Sequence, residues 1–225
     1  MRYCVVLSLL MGLITPAYTQ TNSIGKQLPV DAAPPEQQIF RYTIVEPLSY
    51  DISIAIYEAQ GAVPLFDRLA MLNRDLELVP AAATSWERSE DGFRWTFHLR
   101  PDGRWSDGRP VTAHDFEYTY KRLLDPDEAS PYAFFYYEIK GARTFNQGKT
   151  TDSKTVGVRA LDNLTLEVET EKPCPYLPFI VAFSGSGPVP RWQVEKYGRK
   201  WSEAEHFVSN SSYTLTDWRS GRHAT

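Results

Sequence analysis

His98, His114, His206 and His223 are the side chains of this sequence best suited to hold a metal or move a proton. A catalytic metal site needs several imidazoles or carboxylates converging, usually with two at helical spacing. These four are scattered, which is the pattern of surface and packing histidines, and no metal is expected. Ser184-Gly185-Ser186-Gly187 comes nearest to a nucleophile motif. It lacks the G-x-S-x-G order and follows no clear strand into a helix, so nothing presents a serine oxygen for acyl transfer. Glu167 and Glu169 share one side of an expected strand, where an acid and a base could face one substrate. Their alternation with Leu166 and Val168 is instead that of a solvated face. No glycine-rich phosphate loop is present, and no cofactor is implied. The competing reading from another class is a secreted hydrolase with an aromatic substrate groove, which would need a nucleophile and a base that converge.

The 24 basic and 28 acidic residues leave a net charge of −4, too acidic a balance for a broad nucleic-acid footprint, so no nucleic-acid partner is expected. With 42% hydrophobic and 23% charged residues the chain can bury the core of one or two domains. Two cysteines exclude a disulfide-dense scaffold. Residues 1–19 combine Arg2, an apolar run from Val5 to Ile14, and small residues at Ala17 and Thr19, the pattern of a cleavable secretory signal. The run is about half of the ~20 apolar residues that a membrane-spanning helix needs, so export is favoured over anchoring. Cleavage leaves Cys174 as the mature thiol, either a buried thiol or one with its partner on other polypeptide, the favoured expectation being a partner outside this sequence. Residues 20–38 are polar and proline-spotted, a flexible leader.

The elements that would position any site follow from pattern. Ile39 to Val45 alternates as a strand, and short helices are expected over Ile52–Tyr57 and Leu65–Leu69. Asp91-Gly92 turns the chain into Phe93, Trp95, Phe97 and Leu99 at every second position, a strand with one buried face. Pro101-Asp102-Gly103 and Ser106-Asp107-Gly108 make two turns around Trp105. Thr112 and Asp115 form a capping box for a helix whose inner face is Phe116, Tyr120, Leu123 and Leu124, with Glu117 and Lys121 paired outside. Ser130-Pro131 opens a second helix through the aromatic run Tyr132 to Tyr137, leaving at Gly148. Val156 to Val168 forms a second hairpin turning at Asp162-Asn163. A crossover over Ser184–Pro190 then leads to a short helix over Trp192–Tyr197.

Ala83-Thr84-Ser85-Trp86-Glu87, the strand Phe93 to Arg100, and Trp105-Ser106-Asp107-Gly108-Arg109-Pro110-Val111-Thr112-Ala113-His114-Asp115-Phe116 arrive in one order. Together with Leu65-Phe66-Asp67-Arg68-Leu69, Asp125-Pro126, Ala129-Ser130-Pro131-Tyr132-Ala133 and Pro188-Val189-Pro190 they closely resemble the bacterial extracellular solute-binding proteins of family 5, the oligopeptide and dipeptide receptors of ABC importers. The resemblance covers nearly all of the chain after residue 39.

What it implies is a partial periplasmic-binding-protein-like type II fold of α+β and α/β parts. Lobe I would be built from residues 39–63 and 189–225, with an α+β subdomain inserted over 64–188 and lobe II absent, so the chain reads as an N-terminal fragment. Trp86, Trp95 and Trp105 would be core of that insertion. The implied function is a monomeric, non-enzymatic periplasmic receptor that captures short peptides and delivers them to the membrane subunits of an ABC permease. Related receptors take nickel, haem or oligosaccharides. Carried over by position, Ile54, Ala55 and Ile56 would approach the peptide backbone, Tyr132 would border the cleft, and Ser186 and Gly187 would approach from the crossover. One departure is Asn210-Ser211-Ser212-Tyr213, where the family has Asn-Gly before the tyrosine.

Overall fold

The structure, a computed structural model, describes residues 27–34, 37, 45, 47, 49–54 and 62–225. The expected secretory signal, and all but the last residue of the strand expected over 39–45, lie outside the described residues. Two compact units divide the chain, residues 1–42 and 43–225. In the first, the described stretch contains a turn closed by the amide of Ala32 donating to the carbonyl of Pro29 at 3.0 Å. The strands and α-helices of the described residues all belong to the second.

There, β1 (Ala70–Leu72) and β2 (Leu78–Pro80) form a small hairpin. Then β3 (Ala83–Arg88), β4 (Arg94–Leu99), β5 (Val158–Ala160) and β6 (Thr165–Glu169) make an antiparallel sheet in the order β3-β4-β6-β5. Alternation explains β4: Trp95, Phe97 and Leu99 are buried, while Arg94, Thr96 and His98 face outward. Phe97 lies opposite Trp86 on one side and Leu166 on the other, so the aromatic positions stack into one face. Phe93 was expected on that face and is 38% exposed. It precedes β4, in the turn that Gly92 makes at φ 78°, and so stands outside the pleat. Of the three tryptophans expected as core, Trp95 and Trp105 are buried and Trp86 is partly so.

Helix α1 (Ala113–Leu123) lies against β5 and β6. Its capping box closes as the sequence implies, the Asp115 carboxylate accepting from the Thr112 amide at 2.8 Å. The Trp105 indole reaches the same oxygen at 3.4 Å, joining the double turn to the helix start. Burial pushes the Asp115 carboxyl up, against the pull of the Thr112 donors. Phe116, Tyr120, Leu123 and Leu124 are all fully buried. On the outer side Glu117 bonds Lys121 at 2.5 Å and also accepts the Ala160 amide at 2.9 Å, tying the helix to the edge strand β5. Burial alone would raise the Glu117 carboxyl, but these donors hold it below its ordinary value.

Two local expectations change. The segment after Ser130-Pro131 forms one 3-10 turn, Ala133–Tyr136, rather than an α-helix, because aromatics at consecutive positions cannot share one helical stripe. An α-helix, α2 (Ala142–Asn146), comes only afterwards and gives way at Gly148, φ 67°. Leu65–Leu69 is not helical: a 3-10 turn ends at Leu65, Phe66 is extended at φ −133°, and Leu69 leads directly into β1. Within this chain Cys174 is 1% exposed in the larger core, and burial pushes its thiol up. So enclosed, it packs as a small hydrophobe. Helix α3 (Leu177–Val181) follows it, and α4 (Arg191–Tyr197) occupies the expected short-helix stretch. β7 (Trp218–Arg219) and β8 (His223–Ala224) close a last hairpin.

Two hydrophobic cores organise this unit. The larger runs from Leu69 to Val181, with Val208, between the four-stranded sheet, α1, α2 and α3. The smaller gathers Tyr50, Ile52, Ala62, Leu65 and Phe66 with Val189, Trp201, Phe207 and Leu215. The chain passes from one to the other around Phe66–Leu69 and around Ser186–Val189.

Candidate functional site

Ser186 and Gly187 sit at the seam between the two cores. The Ser186 hydroxyl donates to the Ile180 carbonyl at 3.0 Å and so accepts from the Tyr136 phenol at 2.7 Å, which leaves it 0% exposed. Burial drives the Tyr136 phenol far above its ordinary value, so it remains a donor. A serine oxygen held between a phenol and a backbone carbonyl, with no imidazole bonded to it among the described residues, is a structural hydroxyl, and it offers nothing to a hydrolase. Gly187 is required by space rather than by backbone angle. A Cβ there would come within 2.6 Å of the Phe66 Cβ and 3.7 Å of the Ile52 Cδ1, so the crossover presses its backbone onto the smaller core.

Tyr132 lies on the same side of the seam through its neighbours. Its ring meets Phe135 at 5.6 Å and Phe183 at 5.7 Å, and Phe135 stacks on Phe183 at 4.8 Å. Phe134 stacks on Phe135 at 4.6 Å. Tyr132 itself is 5% exposed, whereas Phe134 is 57% and Phe135 is 40% exposed. The aromatic run thus builds an apolar shelf, with Tyr132 at its base and two phenyl rings open. Ile54 is partly buried against the smaller core, its amide donating to the Asp51 carbonyl at 3.1 Å. Ala55 and Ile56 lie outside the described residues. Tyr132, Ser186 and Gly187 are therefore brought together through Phe183 and Tyr136, and the Ile54 segment reaches them through Ile52.

Beneath that segment lies a buried ionic network that no local pattern marks. Asp51 accepts two bonds from the Arg122 guanidinium, at 3.1 and 2.7 Å, one from the Trp201 indole at 2.9 Å and one from the Ser53 amide at 3.0 Å. Arg122 also bonds Glu128 at 2.8 Å. Although burial works against its charge, these carboxylates raise the Arg122 guanidinium above its ordinary value. The network clamps the Ile52–Ile54 turn to α1 across 71 residues of sequence.

Among the described residues no group of possible metal ligands contains more than one histidine. His206 brings a ligand atom within 4.8 Å of those of Glu203 and Glu205, but at an open turn where its ring is stacked on Tyr197 at 3.7 Å. His98 faces Glu87 at 3.5 Å and His223 faces Asp217 at 3.0 Å, both exposed. Among the described residues no helix is long and apolar enough to cross a membrane.

Comparison with known proteins agrees with the geometry. The family model for bacterial extracellular solute-binding proteins, family 5 Middle, matches residues 77–225. The periplasmic oligopeptide-binding protein OppA of Escherichia coli is 42% identical over 156 residues, 68% of this chain and 28% of its own length. The probable deoxycholate-binding periplasmic protein YgiS of Escherichia coli is 35% identical over 217 residues, 93% of this chain and 39% of its own. The solved substrate-binding domain of an oligopeptide ABC transporter from Bacillus anthracis superposes with a TM-score of 0.75 at 38% identity, covering 80% of this chain and 35% of that one. The chain thus spans about a third of the length of these relatives, and its fold is part of a type II periplasmic-binding-protein fold.

Proposed function

Because this chain belongs to the bacterial extracellular solute-binding proteins of family 5, we propose that it forms one wall of a periplasmic peptide receptor serving an ABC importer. Its work is capture rather than turnover. The continuous match over residues 77–225 carries this reading. The seam of the two cores supports it, because the hydroxyl there is bonded into the fold while the aromatic shelf beside it is open. In this reading Tyr132 and the rings above it border the peptide. Ile54, Ala55 and Ile56 offer the backbone edge along which an extended peptide pairs, and Ser186 and Gly187 hold the crossover against it. Every peptide shares a backbone, so pairing along it gives affinity without demanding one sequence, and hydrated pockets accept varied side chains. Closure of a second wall over the ligand would create the state that the permease membrane subunits recognise. The signal-like pattern of residues 1–19 supports a periplasmic location, where the receptor works as a monomer.

The relative named for deoxycholate binding makes ligand class the point to test. Residues 77–225 of this chain replace the matching segment of the Escherichia coli OppA relative, and the folded chimera is titrated by calorimetry with tripeptides and with deoxycholate. Peptide binding, with growth of the host on a peptide as amino-acid source, is the expected result. A folded chimera that takes deoxycholate and no peptide would replace the ligand class, and one that binds neither would remove the reading.

A further inference from the structure

Among the described residues two arginines are buried, and their surroundings are opposite. Arg122, 7% exposed, is bonded to Asp51 and Glu128. Arg68, 8% exposed, forms no ion pair and no side-chain hydrogen bond among the described residues, and its Nε is enclosed without any partner. The Asp67 carboxylate acts on it through space without bonding it, and burial still holds the guanidinium below its ordinary value. Nor can the side chain simply swing out with its backbone. The amide and carbonyl of Asp67 are both held by the Asn210 side chain, at 3.0 and 2.9 Å, and the Arg68 carbonyl accepts the Ala82 amide at 2.8 Å.

A guanidinium nine-tenths buried with no bonded counter-ion is costly to hold in a core, because the hydration lost at its enclosed Nε is not replaced. Its location gives that cost a meaning. Arg68 follows Phe66, against which Gly187 is pressed, and its charge acts on the Tyr136 phenol that bonds Ser186. It therefore lies at the seam of the two cores, beside the crossover and the aromatic run. We propose that Arg68 is a carboxylate-receiving group at this seam, its planar fork donating to the two oxygens of one carboxylate. Two sources share that chemistry: the free carboxyl end of a short peptide, or an acidic side chain of polypeptide outside the described residues. The first rests on the peptide reading above, whereas the site itself rests on Arg68 alone.

The test uses the ¹⁵N-labelled 225-residue chain and the Arg68 Nε–H resonance, identified by its loss in Arg68→Met. Titrants are sodium acetate, trialanine as the free acid, trialanine as its C-terminal amide, and sodium chloride at matched ionic strength. Acetate and the free acid should move the resonance saturably while the amide and chloride do not. Arg68→Met should melt no lower than the parent in chloride and should lose the upward shift in melting temperature that acetate gives the parent. If acetate moves the resonance and neither form of trialanine does, the site stands and an acidic side chain is its source. If acetate and the free acid both leave it unmoved, the proposal is overturned, and backbone shifts around Tyr132 with the amide peptide would show that the peptide reading survives without it.

Discussion

Replacing Arg122 with leucine should lower the free energy of unfolding by about 3–5 kcal/mol, the usual cost of removing one partner from a buried ion pair. The substitution keeps most of the aliphatic volume but leaves the Asp51 carboxylate, 1% exposed, with only the Trp201 indole and the Ser53 amide as donors. It also strips Glu128 of its cation. Since the network joins the Ile52–Ile54 turn to α1, the loss should appear as a lower urea midpoint with early release of the smaller core. Lys140→Ala supplies the contrast. Its pair with Glu169 is largely exposed, at 53% and 26%, and should contribute about 1 kcal/mol or less. Equal effects from the two variants would mean that the buried network does not hold the cores together.

Trp105→Ala should cost a similar ~3–5 kcal/mol for a different reason. Trp105 is fully buried, packs edge-on against Trp192 at 5.3 Å, and donates its indole N–H towards Asp115. Truncation opens a cavity between the double turn and α4 and removes one donor from the buried carboxylate of the capping box. Trp105→Phe should recover most of the packing but not the donor, so its loss should fall between parent and alanine. Trp86→Ala, at a partly buried position of β3, should lose less than Trp105→Ala. Urea unfolding followed by near-ultraviolet circular dichroism separates these, because loss of the Trp105–Trp192 contact changes the aromatic signal while the sheet persists.

Elements whose cause is local were legible in the sequence. The β4 alternation, the turns on either side of Trp105, the Thr112–Asp115 box and the second hairpin each rest on neighbours within a few residues, and each is present. The β1–β2 hairpin was not legible, because its strands have three residues each and its loop is shaped by one side chain. Asn73 Oδ1 accepts the amides of Asp75 and Glu77, which lets Leu76 adopt φ 62°, where glycine or asparagine would be expected. The apolar run Leu177–Val181 is too short for periodicity to distinguish helix from strand.

For the candidate site, only resemblance singled out Tyr132, Ser186 and Gly187. No local pattern could reveal that Ser186 spends its hydroxyl on Tyr136 and Ile180, or that Phe66 leaves no room for a side chain at residue 187. Arg122 reads as an ordinary outer-face cation of α1, and Arg68 as one charge in a short apolar stretch. Their partners, present in one case and missing among the described residues in the other, are set by contacts between distant parts of the chain.

This chain is proposed to supply a surface for holding a peptide. A ¹H–¹⁵N titration of the 225-residue chain with a mixed tripeptide pool examines it directly. Saturable shifts are expected at Ile54, Tyr132, Ser186 and Gly187 with an affinity weaker than micromolar, because one wall of a cleft excludes water from only one side of the ligand. Micromolar or tighter binding by this chain alone, or saturable shifts that avoid all four residues, would contradict that proposal.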